Sequence, residues 1–142
     1  MAEQTESSIH IAADAAAIMD VIADLASYPE WTNYSSAEVM EQFEDGRPAL
    51  AKFELTSPLR DVQIMKYEWT GDDHVDWHLV EGQLTKSVHG TYQLITEESG
   101  GTTVLYRLAV DTRIPTIGAL RRKAEKVIID TALKGLKARV EG

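Results

Sequence analysis

The sequence contains no cysteine among its 142 residues. Its fold therefore needs no disulfide bond, which fits a reducing compartment, and we expect a cytoplasmic protein. With four histidines and no cysteine, the chain has few ligands for a transition metal, so we expect neither a metal site nor a cofactor. His74 and His78 stand four residues apart, but along a strand this spacing is about 13 Å, too far for one ion.

Long apolar runs and common catalytic motifs are also missing. No stretch of the length that a membrane-spanning helix requires is apolar throughout, so we expect no membrane insertion. The first ten residues, MAEQTESSIH, lack the basic start and apolar centre of a signal peptide. The HExxH, GxSxG, GxGxxG and phosphate-loop patterns do not occur. The sequence therefore indicates none of the metalloprotease, serine-hydrolase, dinucleotide or phosphate-loop sites.

Positive charge is scarce outside the last thirty residues. The formal net charge is −9, but residues 113–142 hold 8 basic and 3 acidic side chains, whereas residues 1–112 hold 6 and 20. An acidic body repels phosphate backbones and anionic lipid, so we expect neither nucleic acid nor a membrane as a partner. The basic segment at the end is interpreted as the solvated face of a helix. A basic amphipathic helix that lies on a membrane is the alternative, which we set aside because the strands need a covering element.

The longest helical pattern runs from Pro115 to Val140, with Pro115 in a first turn, where its missing N–H is tolerated. At 100° per residue, its apolar and small residues share one face. This predicted face consists of Ile117, Leu120, Ala124, Val127, Ile128, Thr131, Gly135 and Ala138. Because Thr131 and Gly135 interrupt the face, we expect space on the inner side of the helix. A leucine in place of Gly135 should therefore fit without disturbing the fold.

The chain begins with a strand followed by two short helices. Residues Ser7–Ala12 alternate apolar and polar side chains, which predicts a strand. Asp14 is expected to cap the first helix, and Ser27 to cap a second, with Pro29 in its first turn.

Six further segments between residues 35 and 110 have the period-two alternation of strands, and turns such as Asp45-Gly46 separate them. Short turns between consecutive strands indicate an antiparallel meander with one buried face. Together with the first strand, this predicts an α+β domain spanning residues 1–142. Its seven-stranded antiparallel sheet would curve around the long C-terminal helix.

The inner face of this sheet is rich in aromatic side chains. Tyr67, Tyr92 and Tyr106 all point inward by the alternation, and a buried tyrosine hydroxyl needs a hydrogen-bond partner. A packed aromatic core is one interpretation; a ligand cavity with polar groups in its wall is the other. The candidate cavity residues are Trp31, Tyr34, Phe53, Met65, Tyr67, Trp69, Trp77, Leu79, Tyr92, Tyr106, Leu108, Ile128, Thr131 and Gly135.

Four segments also resemble a known family. They are ASYPEWTNY (26–34), EGQL with HGTYQL (81–94), GGTTVLYRLAVDTRIP (100–115) and LKGLKARVE (133–141). In order and spacing the chain resembles, nearly end to end, the START-like (SRPBCC) superfamily, in particular small actinobacterial-type members of its polyketide cyclase/dehydrase and lipid-transport family. The resemblance implies a helix-grip (START/Bet v 1-like) fold with a deep cavity. It also implies a hydrophobic ligand such as a lipid, quinone or polyketide.

The resemblance raises an enzymatic alternative. Cyclases of this superfamily carry a tyrosine shortly after the Pro-Glu element, and Tyr34 matches it as a candidate acid or hydrogen-bond donor. They also use an arginine from a middle strand, which residues 61–70 lack. Cyclising a poly-β-ketone requires groups that polarise a carbonyl and stabilise an enolate. The available bases, Glu68 and His78, fall on the outer face by the alternation.

We therefore expect a domain that binds a hydrophobic small molecule between the sheet and the C-terminal helix. A polyketide cyclase/dehydratase-type enzyme that uses Tyr34 is the alternative. An interaction module of the chaperone or toxin type is a third class, which an exposed apolar patch beside the cavity would favour.

Overall fold

The computed structural model describes residues 4–58, 60–113 and 117–142. The chain begins with strand β1 (Thr5–Ile11), helix α1 (Ala15–Ala23) and a 3₁₀ helix (Leu25–Glu30). Six strands follow: β2 (Tyr34–Gln42), β3 (Pro48–Leu55), β4 (Asp61–Thr70), β5 (His74–Gly82), β6 (Thr85–Thr96) and β7 (Thr102–Thr112). The last element is helix α2 (Gly118–Glu141).

The seven strands form one antiparallel sheet in the order β1-β7-β6-β5-β4-β3-β2. Strands β2 to β7 are a meander of neighbouring pairs, and β1 joins the sheet beside β7. Helix α2 packs against β1, β7 and α1. This α+β architecture, in which a sheet holds a C-terminal helix, confirms the expected helix-grip arrangement.

The alternation along the strands correctly predicted which side chains face the core. On β3 Ala51, Phe53 and Leu55 are buried, and the residues between them are exposed. On β7 every second residue from Thr102 to Val110 is buried. Successive side chains of a strand point to opposite faces, so burying one face of the sheet is enough to set this pattern.

The structure confirms the cap of the first helix and corrects the second. The Ala17 N–H donates to Asp14 Oδ1 at 2.8 Å, which satisfies one of the free N–H groups at the start of α1. Ser27, however, lies inside the 3₁₀ helix, which starts directly after Asp24, and Pro29 lies in its second turn. The cap prediction for Ser27 was wrong because one residue separates the two helices, leaving no extended segment before Ser27.

Helix α2 buries a different face from the one predicted. The buried residues are Glu125, Ile128, Ile129, Ala132, Leu133 and Leu136. Ile117, Leu120 and Val127, which were expected in the core, are 71%, 55% and 41% exposed. The buried face is turned by about a third of a turn from the prediction. The expected first turn at Pro115 lies outside the described residues.

The reason for this difference is a buried carboxylate. Glu125 is fully buried, and its two oxygens accept hydrogen bonds from the Thr5 hydroxyl and the Val110 N–H, both at 2.6 Å. A buried charge is tolerated when its hydrogen bonds are satisfied. Hydrophobic periodicity scores a glutamate as a surface residue, so it favoured the wrong face of α2.

Gly135 does not leave empty space, as the sequence had suggested. A Cβ built on Gly135 would lie 2.1 Å from the carbonyl oxygen of Trp31 and 3.0 Å from the Trp31 Cβ. The missing side chain is needed because the backbone after the 3₁₀ helix touches α2 here. The expectation that leucine fits at Gly135 was therefore wrong, since backbone atoms occupy that place. Thr131, the other interruption, is half-buried.

Candidate functional site

A small cavity lies between the inner face of the sheet and helix α2. The volume within which the centre of a water molecule can lie is about 20 Å³, so the cavity has room for about one water. Among the described residues its lining consists of Tyr28, Thr32, Asn33, Tyr34, Leu55, Tyr67, Trp77, Tyr92, Tyr106, Ile128 and Ala132. All five tyrosines of the chain are in this set.

The aromatic side chains of the lining form a row of ring contacts, in which Phe53 of the core joins Tyr34 to Tyr67. The ring centroids of Tyr67 and Trp77 are 5.8 Å apart, and those of Trp77 and Tyr106 are 5.6 Å apart. Tyr92 contacts Tyr106 at 4.5 Å. Toward the other end, Tyr28 lies 6.4 Å from Tyr34. These distances are in the range for favourable ring packing, so the row makes a rigid apolar wall.

A glycine on the neighbouring strand positions Trp77. Gly90 is the cross-strand partner of Trp77, and a Cβ at Gly90 would lie 2.2 Å from two ring carbons of that indole. The indole therefore lies flat over the backbone of β6. A glycine at an inward strand position marks a close approach of this kind.

The tyrosine hydroxyls are the main polar groups of the cavity. The Tyr28 hydroxyl donates to the carbonyl oxygen of Ile22. The hydroxyls of Tyr34, Tyr67, Tyr92 and Tyr106 make no hydrogen bond to any described residue, and none is sealed from the cavity space. Burial raises the pKa of all five phenols, since desolvation disfavours the charged phenolate. They are neutral at physiological pH and can donate hydrogen bonds to a ligand oxygen.

The mouth of the cavity carries an acceptor to complement these donors. Thr32, Asn33 and Tyr34 are half-buried, unlike the inner lining, so they form the side nearest to solvent. The Oδ1 atom of Asn33 is buried, is sealed from the cavity space, and has no hydrogen-bond partner among the described residues. A buried acceptor without a partner costs free energy, and a donor on a bound molecule would remove that cost only once Asn33 has moved.

Three contacts hold the mouth segment in place. Trp31 presses its backbone against Gly135 of α2. The Thr32 hydroxyl donates to the carbonyl oxygen of Tyr28 at 2.7 Å. Arg139, near the end of α2, forms an ion pair with Glu30 at 3.1 Å. The position of Asn33 and Tyr34 is therefore coupled to the second half of α2.

The described lining contains no charged side chain and no histidine. Glu68 and His78, the two possible bases, are exposed on the outer face, as the alternation predicted. Asp61 and Gln63 of β4 are buried on the inner side, but neither lines the cavity, and the Gln63 amide faces Asp61 and Thr85 at 3.4 Å. The arrangement can hold and orient a neutral oxygen-bearing molecule, but it offers no base of ordinary strength.

Part of the predicted site is assembled in this cavity. Tyr34, Tyr67, Trp77, Tyr92, Tyr106 and Ile128 all line it. The other candidates are outside the described lining: Trp31, Phe53, Met65, Trp69, Leu79, Leu108, Thr131 and Gly135. Phe53 and Met65 are fully buried in the core, and the Trp69 indole donates to the Pro48 carbonyl oxygen at 2.7 Å beyond the end of the row.

Sequence reasoning missed five lining residues, namely Tyr28, Thr32, Asn33, Leu55 and Ala132. For two of them, the sequence pattern already indicated an inward position. Tyr28 continues the apolar spacing of Ile22 and Leu25, and Leu55 belongs to the inward set of β3. Thr32 and Asn33 had no such pattern, because their place depends on how the chain leaves the 3₁₀ helix.

Comparison with protein families identifies the chain. Residues 2–141 match the model described as polyketide cyclase / dehydrase and lipid transport. The chain belongs to this family. This match confirms the resemblance seen in the sequence motifs. Comparison with curated protein sequences found no match.

Several solved structures have the same fold as this chain. A START superfamily protein from Mycobacterium smegmatis aligns with a TM-score of 0.88 at 19% identity, covering 97% of each chain. The Zhui aromatase/cyclase from Streptomyces sp. R1128 aligns with a TM-score of 0.80 at 12% identity, covering 99% of this chain and 94% of the other. A protein from Thermus thermophilus aligns with a TM-score of 0.79 at 22% identity, covering 98% of this chain and 97% of the other.

Family and fold fit either binding of a hydrophobic small molecule or a polyketide cyclase-type function. No helix in residues 4–58, 60–113 and 117–142 is both long and apolar enough to cross a membrane.

Proposed function

We propose that the protein binds a hydrophobic small molecule in the cavity between the sheet and α2, and that this molecule is an oxygen-bearing aromatic rather than a lipid chain. The observation that carries the proposal is the set of four tyrosine hydroxyls without partners among the described residues. A lipid acyl chain has nothing to bond to these groups and would leave them unsatisfied. Carbonyl or hydroxyl oxygens on a planar ring, as in quinones and polyketides, would satisfy them.

The aromatic wall supports the same ligand class. Trp77 and the rings of Tyr67 and Tyr106 offer planar surfaces against which another ring can stack. Once the mouth segment moves, the unpartnered Asn33 oxygen would accept a hydrogen bond from a hydroxyl group of the ligand. A fused ring needs more space than the present 20 Å³, so binding includes an outward displacement of the mouth segment Thr32–Tyr34.

Isothermal titration calorimetry with 1-naphthol, 1,4-naphthoquinone and palmitate tests the proposal. We expect the two ring compounds to bind and palmitate not to bind. The variant Tyr106→Phe should weaken binding of 1-naphthol about fivefold, the equivalent of one hydrogen bond. Its free energy of unfolding should hardly change, since the hydroxyl has no partner in the free protein.

The variant Tyr28→Phe is the matched comparison. It removes a hydroxyl that already bonds to the Ile22 carbonyl, so its loss should fall mainly on the free energy of unfolding, by about 1 kcal/mol. Equal effects of the two variants on affinity would contradict the assignment of the free hydroxyls to the ligand. Binding of palmitate alone would support a lipid ligand instead.

A cyclase-type enzyme is the second candidate, and one observation favours it. Tyr34 lines the mouth as a neutral phenol whose pKa is raised by burial, which suits a hydrogen-bond donor to a substrate carbonyl. If the protein cyclises an aromatic polyketide intermediate, Tyr34→Phe should lower kcat by at least about tenfold. Unchanged turnover would show that Tyr34 takes no part in the chemistry.

The cytoplasmic location and the single domain over residues 1–142 stay predictions.

A further inference from the structure

The first half of α2 has a second apolar face that the described protein does not cover. Ile117, Leu120 and Val127 are 71%, 55% and 41% exposed. Their spacing places them on one side of the helix, away from the buried side. Leu120 and Ile117 are the more exposed of the three, and both lie in or next to the first turn. Three large apolar side chains in a row on a solvent-facing helix are unusual and indicate a contact surface.

The same stretch is strongly basic. Arg121, Arg122, Lys123 and Lys126 lie between residues 117 and 127, and the only acidic residue among them is Glu125. Glu125 points into the protein, where the Thr5 hydroxyl and the Val110 N–H donate hydrogen bonds to it. Lys126 forms an ion pair with Asp130 at 3.2 Å. The remaining outer side of this stretch is cationic, on a protein whose residues 1–112 carry 20 acidic and 6 basic side chains. Ile117, Leu120, Val127, Arg121 and Lys123 together are called the docking face below.

The start of α2 adds positive potential to the docking face. No described side chain caps the helix at Ile117, and its first turn contains no acidic residue. The first N–H groups of a helix carry a partial positive charge that favours anions. These N–H groups suit an anionic oxygen.

The docking face and the wall of the cavity belong to the same helix. Ile128, which follows Val127 in the helix, lines the cavity, and so does Ala132 one turn later. A surface bound at the docking face would therefore contact the helix that forms one wall of the cavity.

We propose that the docking face binds the surface of a lipid bilayer that contains anionic lipids. The apolar side chains would lie at the boundary of headgroups and acyl chains, while Arg121 and Lys123 contact phosphates. A bilayer fits better than an acidic protein, because it offers both an apolar layer for Ile117, Leu120 and Val127 and a layer of phosphates for the neighbouring cationic side chains. The acidic body, which anionic lipid repels, limits the contact to this helix. The proposal does not depend on which ligand the cavity binds.

Cosedimentation of the full chain with lipid vesicles tests the proposal. We expect binding to vesicles of phosphatidylcholine mixed with phosphatidylglycerol, weak binding to phosphatidylcholine alone, and a decrease with salt. Each cationic side chain near an anionic surface contributes about a fivefold change in affinity, so Lys123→Glu should weaken binding by more than fivefold. Leu120→Gln should weaken it about tenfold.

Two matched variants outside the docking face serve as controls. Val80 is 58% exposed on β5, so Val80→Gln removes an equally exposed apolar side chain elsewhere. Lys66 is exposed on β4, so Lys66→Glu makes the same change of charge away from α2. Both controls should bind vesicles as the wild type does, and circular dichroism should show that all four variants are folded.

Several results would overturn the proposal. The first is that the protein does not bind the anionic vesicles. The second is that the control variants lose as much affinity for the vesicles as the docking-face variants do. The third is that Leu120→Gln leaves this affinity unchanged. If soluble polyglutamate binds as tightly as the vesicles and competes with them, the face recognises acidic polymers and the lipid assignment is wrong. Calorimetry with 1-naphthol on the same variants separates this outcome from a failure of ligand binding, since none of these side chains lines the cavity.

Discussion

Replacing Gly135 by alanine tests how the mouth of the cavity is positioned. The added Cβ would lie 2.1 Å from the Trp31 carbonyl oxygen and 3.1 Å from its carbonyl carbon. Both are backbone atoms, which cannot move aside as the end of a flexible side chain can. The segment that carries Trp31 and the mouth residues must shift by about 1 Å to restore normal contact.

The magnitude follows from two opposed effects. Alanine inside a helix is favoured over glycine by about 1 kcal/mol, whereas forcing an extra methyl group into a packed site costs about 1–3 kcal/mol. The contact at Gly135 is at the severe end of this range, so we expect a net loss of about 1–2 kcal/mol. For a domain of this size the melting temperature should fall by about 3 °C for each kcal/mol.

Urea unfolding followed by circular dichroism measures the difference, and Gly118→Ala is the matched control on the same helix. The nearest atoms to a Cβ at Gly118 are guanidinium nitrogens of Arg122 at 3.9 Å, so this variant should be as stable as the wild type or slightly more stable. If Gly135→Ala were also neutral or stabilising, the contact with Trp31 would not hold the mouth.

Two further predictions concern the sheet. The carboxylate of Asp61 accepts the Leu84 and Thr85 N–H groups at 2.8 and 3.1 Å, as well as the Thr85 hydroxyl. Burial alone would raise the pKa of Asp61, but these bonds outweigh it and lower the pKa. The stabilisation is therefore present above the ordinary carboxyl pKa and is lost as the pH falls through the lowered value. Asp61→Asn should cost about 2 kcal/mol at neutral pH and make unfolding by acid less steep; an unchanged acid profile would contradict this. Gly90→Ala should cost about 1–3 kcal/mol and alter the near-ultraviolet circular dichroism of Trp77, and an unchanged spectrum would show that the indole does not lie on Gly90.

The strands were predictable because their pattern depends on neighbouring residues alone. Once one face of the sheet is buried, alternation decides the direction of Tyr67, Trp77, Tyr92 and Tyr106. The cap at Asp14 was predictable for the same reason, since its partner is three residues away. The ring wall of the candidate site could therefore be predicted from the sequence.

The sequence by itself determined the order of the elements, the inward set of aromatic side chains and the family. Tertiary structure alone decided which face of α2 is buried, because Glu125 finds partners 120 and 15 residues away on β1 and β7. It also decided that Gly135 is a contact with Trp31 and that Asn33 stands at the mouth of the cavity. Hydrophobic periodicity describes the average polarity of a helix face. It cannot describe hydrogen bonds or close backbone contacts between segments that are distant in the chain.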